Sequence, residues 1–352
     1  MILTPFDTPC IMIENLSDIP ANDLFKHKCL RLKDEYTKKY IDFYNTERYR
    51  RYGVTGILPA EYTHEYNCIS NEWQRKVLTV GIGTDVVIVV LKHIQMFQHI
   101  YKRMEGLPIS IEGNKENEKR VFNILINLEI VKKVLSSIKE EQEFLENCGM
   151  SVDSELKTYS YYSDVEHNWN TKSGLNRWRT KKGVNRLEKN DKLTCRILTK
   201  NEECVKIIGE AFCKFKEEVH KDKFLSKKFT KSIIEYPHWN DDNVEYYLFE
   251  YDGFPIGLIC YVYSHFSVGY QVVNKGIRSL LYDDNIKENV KSIPQEVIKR
   301  LGEYMHCKSI EILRNKGIKY SNCGGVFGTM KPEIALYKRL MNDSFFGMKV
   351  YK

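Results

Sequence analysis

The sequence predicts an α/β fold in two tandem halves, each a mixed sheet flanked by helices. Three observations carry this. The chain has 352 residues, enough for two domains that each bury a core. Both halves alternate β-branched runs with helix-periodic segments. Between them, over 160–190, the composition turns basic and aromatic, which sets the expected division into a lobe of residues 1–165 and a lobe of residues 166–352.

In the first half, spaced apolar positions over 24–44 predict a helix, and Arg48-Tyr49-Arg50-Arg51 reads as its neighbouring solvated helix end. Residues 77–80 and 86–91 are β-branched runs around a turn at 81–85, a strand pair. Gly81 and Gly83 do not make a dinucleotide loop, because the third glycine is missing and a strand follows. Residues 107–111 read as a strand. Val121, Ile124, Leu128, Val131 and Val134 recur at spacings of three and four, predicting one helix over 116–142. The Glu-rich stretch after it stops at Cys148-Gly149.

The division falls in a distinctive segment. Of the 18 residues at 172–189, seven are Lys or Arg and one is acidic. Beyond it, 193–198 reads as a strand and 202–220 and 226–235 as helices. Two strands, 244–251 and 254–263, flank Asp252-Gly253, a strong hairpin signal, and a third follows over 265–273. A long helix is expected from Ser292-Ile293-Pro294-Gln295, with serine at the cap. Its stripe is Val297, Leu301, Tyr304, Ile310 and Leu313, and Gly317 stops it. A strand over 318–323 closes at Gly324-Gly325. A short helix over 333–341 and a last strand over 345–351 complete the order. No sequence repeat is visible.

The totals exclude some classes. Hydrophobic residues make up 42% and charged residues 29%, a globular balance without an apolar run of membrane-spanning length. The N-terminal residues lack the pattern of a secretory signal, so a cytoplasmic protein is expected. Ten cysteines include no C-x-x-C pair and read as reduced, mostly buried thiols. The net charge of +7 suits an anionic partner without requiring one.

In the second half, the order strand, two helices, hairpin, strand, helix, strand, helix, strand resembles the GNAT (N-acetyltransferase-like) fold. Three patterns sharpen the likeness: the basic segment entering the strand at 193, Asn315-Lys316-Gly317 leading through a strand to Gly324-Gly325, and Leu336-Tyr337-Lys338 followed by Phe345-Phe346-Gly347. They resemble the Fem-type aminoacyl transferases and the cellulose-biosynthesis-type acetyltransferase domains, which often carry two GNAT-like lobes. The likeness implies a mostly antiparallel sheet and an acyl- or aminoacyltransferase whose donor is an acyl-CoA or an aminoacyl-tRNA. The first half is then a degenerate GNAT-like lobe. The loop Gln/Arg-x-x-Gly-x-Gly/Ala, whose backbone N–H groups hold a pyrophosphate, is missing; this counts against ordinary acetyl-CoA.

Acyl transfer to an amine needs a proton acceptor, donors to the oxyanion, and two substrates held together. Lys338, after Tyr337, matches the Fem-type aromatic–lysine pair, and the resemblance implies that it stabilises the oxyanion or holds a phosphate; otherwise it is a surface helix lysine. His265 and Tyr270, on the expected central strand, are candidates for base or acceptor contact, or are structural. The donor is expected against Gln271, Val272, Val273, Lys275 and Gly276, with Asn322 and Cys323 at the cleft end of the following strand. Arg177, Trp178, Arg179, Lys181, Lys182 and Arg186 are candidates to hold tRNA or DNA, or form a solvated helix. No metal site is expected: His220, His238, Asp241 and Asp242 have no ligand spacing. The alternatives are a base-modifying acyltransferase acting on nucleic acid, as in a virus, and a non-catalytic nucleic-acid-binding protein on a degenerate GNAT fold.

Overall fold

Val86 to Leu91 is apolar at every position because this strand is buried on both faces. Leu78, Val80, Val87, Val89 and Leu91 belong to one core, and Val77, Val86, Ile88 and Val90 to another, the alternation that a pleated strand dictates. The computed structural model describes residues 10–31, 37–53, 75–96, 99–153, 158–170, 183–198, 210, 244–264, 268–276, 287–327 and 344–352.

In chain order, the first half runs β1 Ile11–Met12, β2 Leu30–Arg31, α1 Thr37–Tyr52, β3 Arg75–Ile82 and β4 Asp85–Met96. It continues with β5 His99–Glu105, β6 Ile109–Ser110, α2 Lys115–Asn127, β7 Lys133–Ser136 and α3 Lys139–Asn147. Then come β8 Thr158–Asp164, α4 Val165–Asn170, α5 Val184–Glu188, β9 Leu193–Ile197, β10 Val244–Tyr251 and β11 Phe254–Ser264. The rest is β12 Val268–Gly276, α6 Lys287–Lys291, α7 Gln295–Asn315, β13 Tyr320–Phe327 and β14 Ser344–Tyr351. Among the described residues no helix is long and apolar enough to cross a membrane.

The fold is mixed α/β, with two GNAT-like lobes sharing one sheet. Its strand order is β1-β3-β4-β5-β7-β14-β8-β13-β12-β11-β10-β9. Each lobe has three antiparallel strands, then a helix, then a strand parallel to the third: β3-β4-β5-α2-β7 and β10-β11-β12-α7-β13. The repeat is one of topology, carried by no visible sequence repeat. The lobes also exchange strands. β8 inserts between β13 and β14 of the second lobe. β14 pairs with β8 through its first five residues and with β7 of the first lobe through Lys349, Val350 and Tyr351. The strand just before the expected division at 165/166 thus pairs beyond it.

The second lobe's helix α7 buries Val297, Leu301, Tyr304, Ile310 and Leu313, as its stripe predicts, against Tyr247, Phe249, Ile259 and Tyr261 of the sheet. Asp252 and Gly253 both have positive φ, 53° and 78°, the two-residue turn expected between β10 and β11.

Several sequence expectations are corrected. The helix over 116–142 is helix, strand and helix: α2 ends at Asn127, Glu129 takes φ 54°, and Val134 lies in β7. The helix over 24–44 is interrupted by β2, and α1 begins at Thr37. The solvated helix end is largely buried: Arg48 pairs with Glu141, and Arg51 with Glu47 and Glu118, while Arg50 alone of the three arginines lies open. Gly81 is a strand residue; the turn is at Gly83-Thr84. Ser292 does not cap α7. Its hydroxyl donates to the Asn289 carbonyl, and Pro294 occupies the cap. Gly324-Gly325 lie inside β13 instead of ending it. Of the expected helices at 202–220, 226–235 and 333–341, only Glu210 is among the described residues, and it is helical; the rest lie outside them.

Candidate functional site

The candidate site is built by α7 and the two strands it connects. α7 ends in a paired motif: the Ile318 N–H donates to the Leu313 carbonyl and the Gly317 N–H to that of Arg314, with Gly317 at φ 69°. This turn delivers the chain into β13 beside β12. Leu313 also reaches Gly269 of β12 so closely that a Cβ there would lie 2.5 Å from Leu313 Cδ2. Glycine at 269 therefore lets the helix sit directly on the start of β12.

β12 and β13 run parallel and pair at three positions, Val268 with Tyr320, Gly269 with Ser321 and Tyr270 with Asn322. Beyond this pairing both strands carry a bulge against their outer neighbours. On β12 the extra residue is Val272, between Gln271 opposite Tyr261 and Val273 opposite Cys260. On β13 the register against β8 shifts between Asn322 and Gly325. β12 continues along β11 to Gly276, and β13 along β8 to Phe327. Bulges bend the strands that carry them. The result is a wedge with Tyr270 and Asn322 at its floor. Among the described residues, the main-chain groups of 271–276 that face the wedge have no strand partner.

The structure therefore gathers one set of predicted residues. Tyr270, Gln271, Val272, Val273, Lys275 and Gly276 follow one another along β12, and Asn322 and Cys323 lie across on β13. His265, Tyr337 and Lys338 lie outside the described residues, as do Arg177, Trp178, Arg179, Lys181, Lys182, His220, His238, Asp241 and Asp242. Arg186 is on α5, largely exposed and 3.7 Å from Glu296 in the first turn of α7. Val184 and Leu187 anchor α5 in the second lobe's core. Among the described residues no three His, Cys, Asp or Glu side chains are grouped to hold a metal ion.

A polar cluster that sequence reasoning missed lies at the closed end of the wedge strands. Lys316, at the α7 C-terminus, donates to Glu245 at 2.7 Å and sits 5.2 Å from the centre of the Tyr263 ring. The Tyr247 hydroxyl donates to Glu245 and lies 2.9 Å from that of Tyr263. Burial raises the pKa of both phenols, and their hydrogen bonds take part in holding the protons on. Burial pushes Glu245 up too, but bonds from Lys316 and Tyr247 outweigh it and leave its carboxyl below the usual range. The cluster ties β10 and β11 to the end of α7. Its only sequence signal is the alternation of Glu245, Tyr247, Tyr261 and Tyr263 on paired strands.

In the first lobe's counterpart the parallel pairing runs one hydrogen bond further. β5 and β7 pair at Arg103, Met104 and Glu105, and the Gly106 N–H extends the pairing to the Leu135 carbonyl at 2.9 Å. Over this end lies Arg48; a Cβ on Gly106 would meet its guanidinium at 2.0 Å. Glu141 accepts from Arg48 at 2.6 Å, from the Ser136 hydroxyl at 2.7 Å and from the Leu107 N–H at 3.1 Å. Burial pushes the neighbouring Tyr44 phenol up to about 12.

No family model matches the sequence, and no curated protein matches it. Solved structures do. FemX aligns with a TM-score of 0.52 at 10% identity, over 80% of this chain and 88% of its own. A conserved protein of unknown function from Bacteroides thetaiotaomicron aligns with a TM-score of 0.50 at 12% identity, over 95% and 97%. A tandem GNAT protein from the clavulanic acid biosynthesis pathway aligns at 0.48 and 11% identity, over 92% and 96%. The architecture is that of FemX, a GNAT-like fold; at these identities the likeness is one of fold.

Proposed function

We propose that this chain is a GNAT-like acyl- or aminoacyltransferase, working in the cytoplasm, that moves an acyl group from a thioester or aminoacyl ester to an amine. The observation that carries the reading is the doubly bulged wedge between β12 and β13. On this reading main-chain groups of 271–276 hold a donor's amide-bearing arm as an added strand would be held, and Tyr270 and Asn322 meet the acyl group. The amine nitrogen attacks the acyl carbon, the new C–N bond replaces the C–S or C–O bond, and the amine's proton passes to the departing sulfur or oxygen. His265 is the candidate to assist that proton, and Lys338, beside Tyr337, to stabilise the oxyanion or hold a phosphate.

The start of α7 supports a donor held elsewhere than by a pyrophosphate at that helix. Its cap is Pro294, its first turn carries Glu296, and α5 packs nearby with Gly183 and Arg186. A carboxylate in the first turn opposes a phosphate there. This favours an aminoacyl ester, with tRNA as the carrier, over acetyl-CoA, and gives Arg177, Trp178, Arg179, Lys181 and Lys182 a role along the RNA.

The test is a donor panel: radiolabelled acetyl-CoA, longer acyl-CoAs, and bulk tRNA charged with labelled amino acids, each with hydroxylamine as a surrogate amine. Labelled hydroxamate beyond that formed without the protein, since hydroxylamine cleaves these esters and thioesters unaided, is expected from charged tRNA alone. Hydroxamate from acetyl-CoA alone would reverse the choice of donor, and none from any donor would refute acyl transfer.

A further inference from the structure

The first lobe holds a cavity of about 410 Å³ between the starts of α2 and α3. Its apolar wall is Leu107 and Pro108, from the link between β5 and β6, with Phe122 of α2 and Phe144 of α3. The two phenylalanine rings meet edge to face, their centres 5.2 Å apart. Tyr52, the last residue of α1, adds a third ring. The volume is that of a small-molecule site, and the lining joins an apolar wall to a few polar groups, as such sites do.

The charged groups of the lining fall into two sets. Glu118 and Glu141 are buried and matched from within the protein. Glu118 accepts from the Ser110 N–H at 3.0 Å, from Arg51 and from Lys115. Glu141 accepts from Arg48, the Ser136 hydroxyl and the Leu107 N–H. These two carboxylates fix the shape of the cavity. Glu116, Lys119 and Glu140 form the other set. They are exposed, and among the described residues their side chains make no ion pair or hydrogen bond. The Tyr52 hydroxyl has no hydrogen-bond partner among those residues either. Two free carboxylates against one free ammonium leave the unmatched part of the lining negative.

An anion is poorly served here. The Asn114 side chain accepts from the N–H groups of Glu116 and Asn117, so those donors at the start of α2 are taken. Glu140 and Glu141 stand in the first turn of α3 and answer the positive end of that helix. A cation is served twice, by the free carboxylates and by the aromatic rings. We propose that this cavity binds an organic cation, a primary ammonium on an apolar body the size of one ring, with the ammonium held by Glu116 and Glu140 and the body against Phe122, Phe144 and Tyr52. The proposal concerns binding in the first lobe and stands apart from the acyl-transfer reading.

Titration calorimetry on the full chain tests this with probes of one shape and different charge: phenethylamine, 2-phenylethanol and 3-phenylpropionate. Phenethylamine is expected to bind with a Kd below about 1 mM, at least about tenfold tighter than the alcohol or the acid. Glu116→Gln with Glu140→Gln should weaken it by about tenfold or more. Lys119→Gln, which removes the competing cation, should tighten it by about twofold or more. No binding of phenethylamine by about 10 mM overturns the proposal. So does equal or tighter binding of the alcohol or the acid, or an unchanged affinity in the double variant. If melting curves show that the double variant does not fold, Lys119→Gln decides: tighter binding supports the proposal, and unchanged or weaker binding overturns it.

Discussion

Arg48 and Glu141, 93 residues apart in the chain, form a buried ion pair at 2.6 Å over the end of the first lobe's parallel strands. Both side chains are almost wholly withdrawn from water, at 5% and 1% exposure. Removing one partner of such a pair strands the other charge. Arg48→Ala is expected to cost about 3–5 kcal/mol in urea unfolding, and Arg48→Met with Glu141→Leu to recover much of it. An Arg48→Ala cost below about 1 kcal/mol would mean that the pair is not buried in solution.

Glu47 gives a pH signature on the same helix. Its hydrogen bond from Arg50, with a further bond from Arg51, holds its carboxyl down to about 2. A depressed carboxylate contributes stability that is present above its unfolded value, near about 4.3, and is lost as pH falls through the folded one. Glu47→Gln should therefore lower the melting temperature at pH 7. The gap from wild type should close between about pH 4.5 and pH 2. Melting curves across that range check it, and a gap constant with pH would remove Glu47 from the linkage.

Gly269 and Leu313 set the seat of α7 on β12. A Cβ 2.5 Å from Leu313 Cδ2 must displace a methyl group or the helix. Gly269→Val is expected to cost about 1–3 kcal/mol by overpacking, and to impair donor transfer because Tyr270 follows directly. Leu313→Ala in the same chain should relieve part of the cost, giving a coupling of about 0.5 kcal/mol or more in a double-mutant cycle. Additive costs would show that the two residues do not meet.

What the sequence made legible follows from local signals. Asp252-Gly253 specified its turn because two consecutive positive φ angles admit few other residues. The α7 stripe was legible because one face of a long helix meets one sheet. The expectation that β12 lines the site came from a fold resemblance, while the bulges on β12 and β13 carry no reliable local code. The helix–strand–helix at 115–147 was hidden because Val121, Ile124, Leu128, Val131 and Val134 keep helical spacing across the break, and Glu129 is an ordinary residue in an unusual conformation. Arg48 looked solvated because its partner is far along the chain. The place of β8 was illegible for the same reason: it pairs with β13 and β14, more than 150 residues later.

Tyr351 shows what the strand exchange does for stability. It belongs to β14, which starts in the second lobe, yet its side chain is fully buried in the first lobe's core with Leu145, Val131 and Val134. Its hydroxyl donates to Glu146 at 2.8 Å, and Val152 bridges to it from the other side. One aromatic ring therefore holds the end of β14 against β7, and with it the junction of the two lobes. Tyr351→Ala should remove about 3–5 kcal/mol, the cost of emptying a large buried site. Tyr351→Phe should cost only about 1 kcal/mol, the loss of one partly buried hydrogen bond. The location of the loss is the sharper test. Amide exchange should accelerate in β7 and over 349–351 while the amides of α7 stay protected. Acceleration of α7 to the same degree would show that the lobes unfold as one unit, so that β14 transmits the damage across the junction.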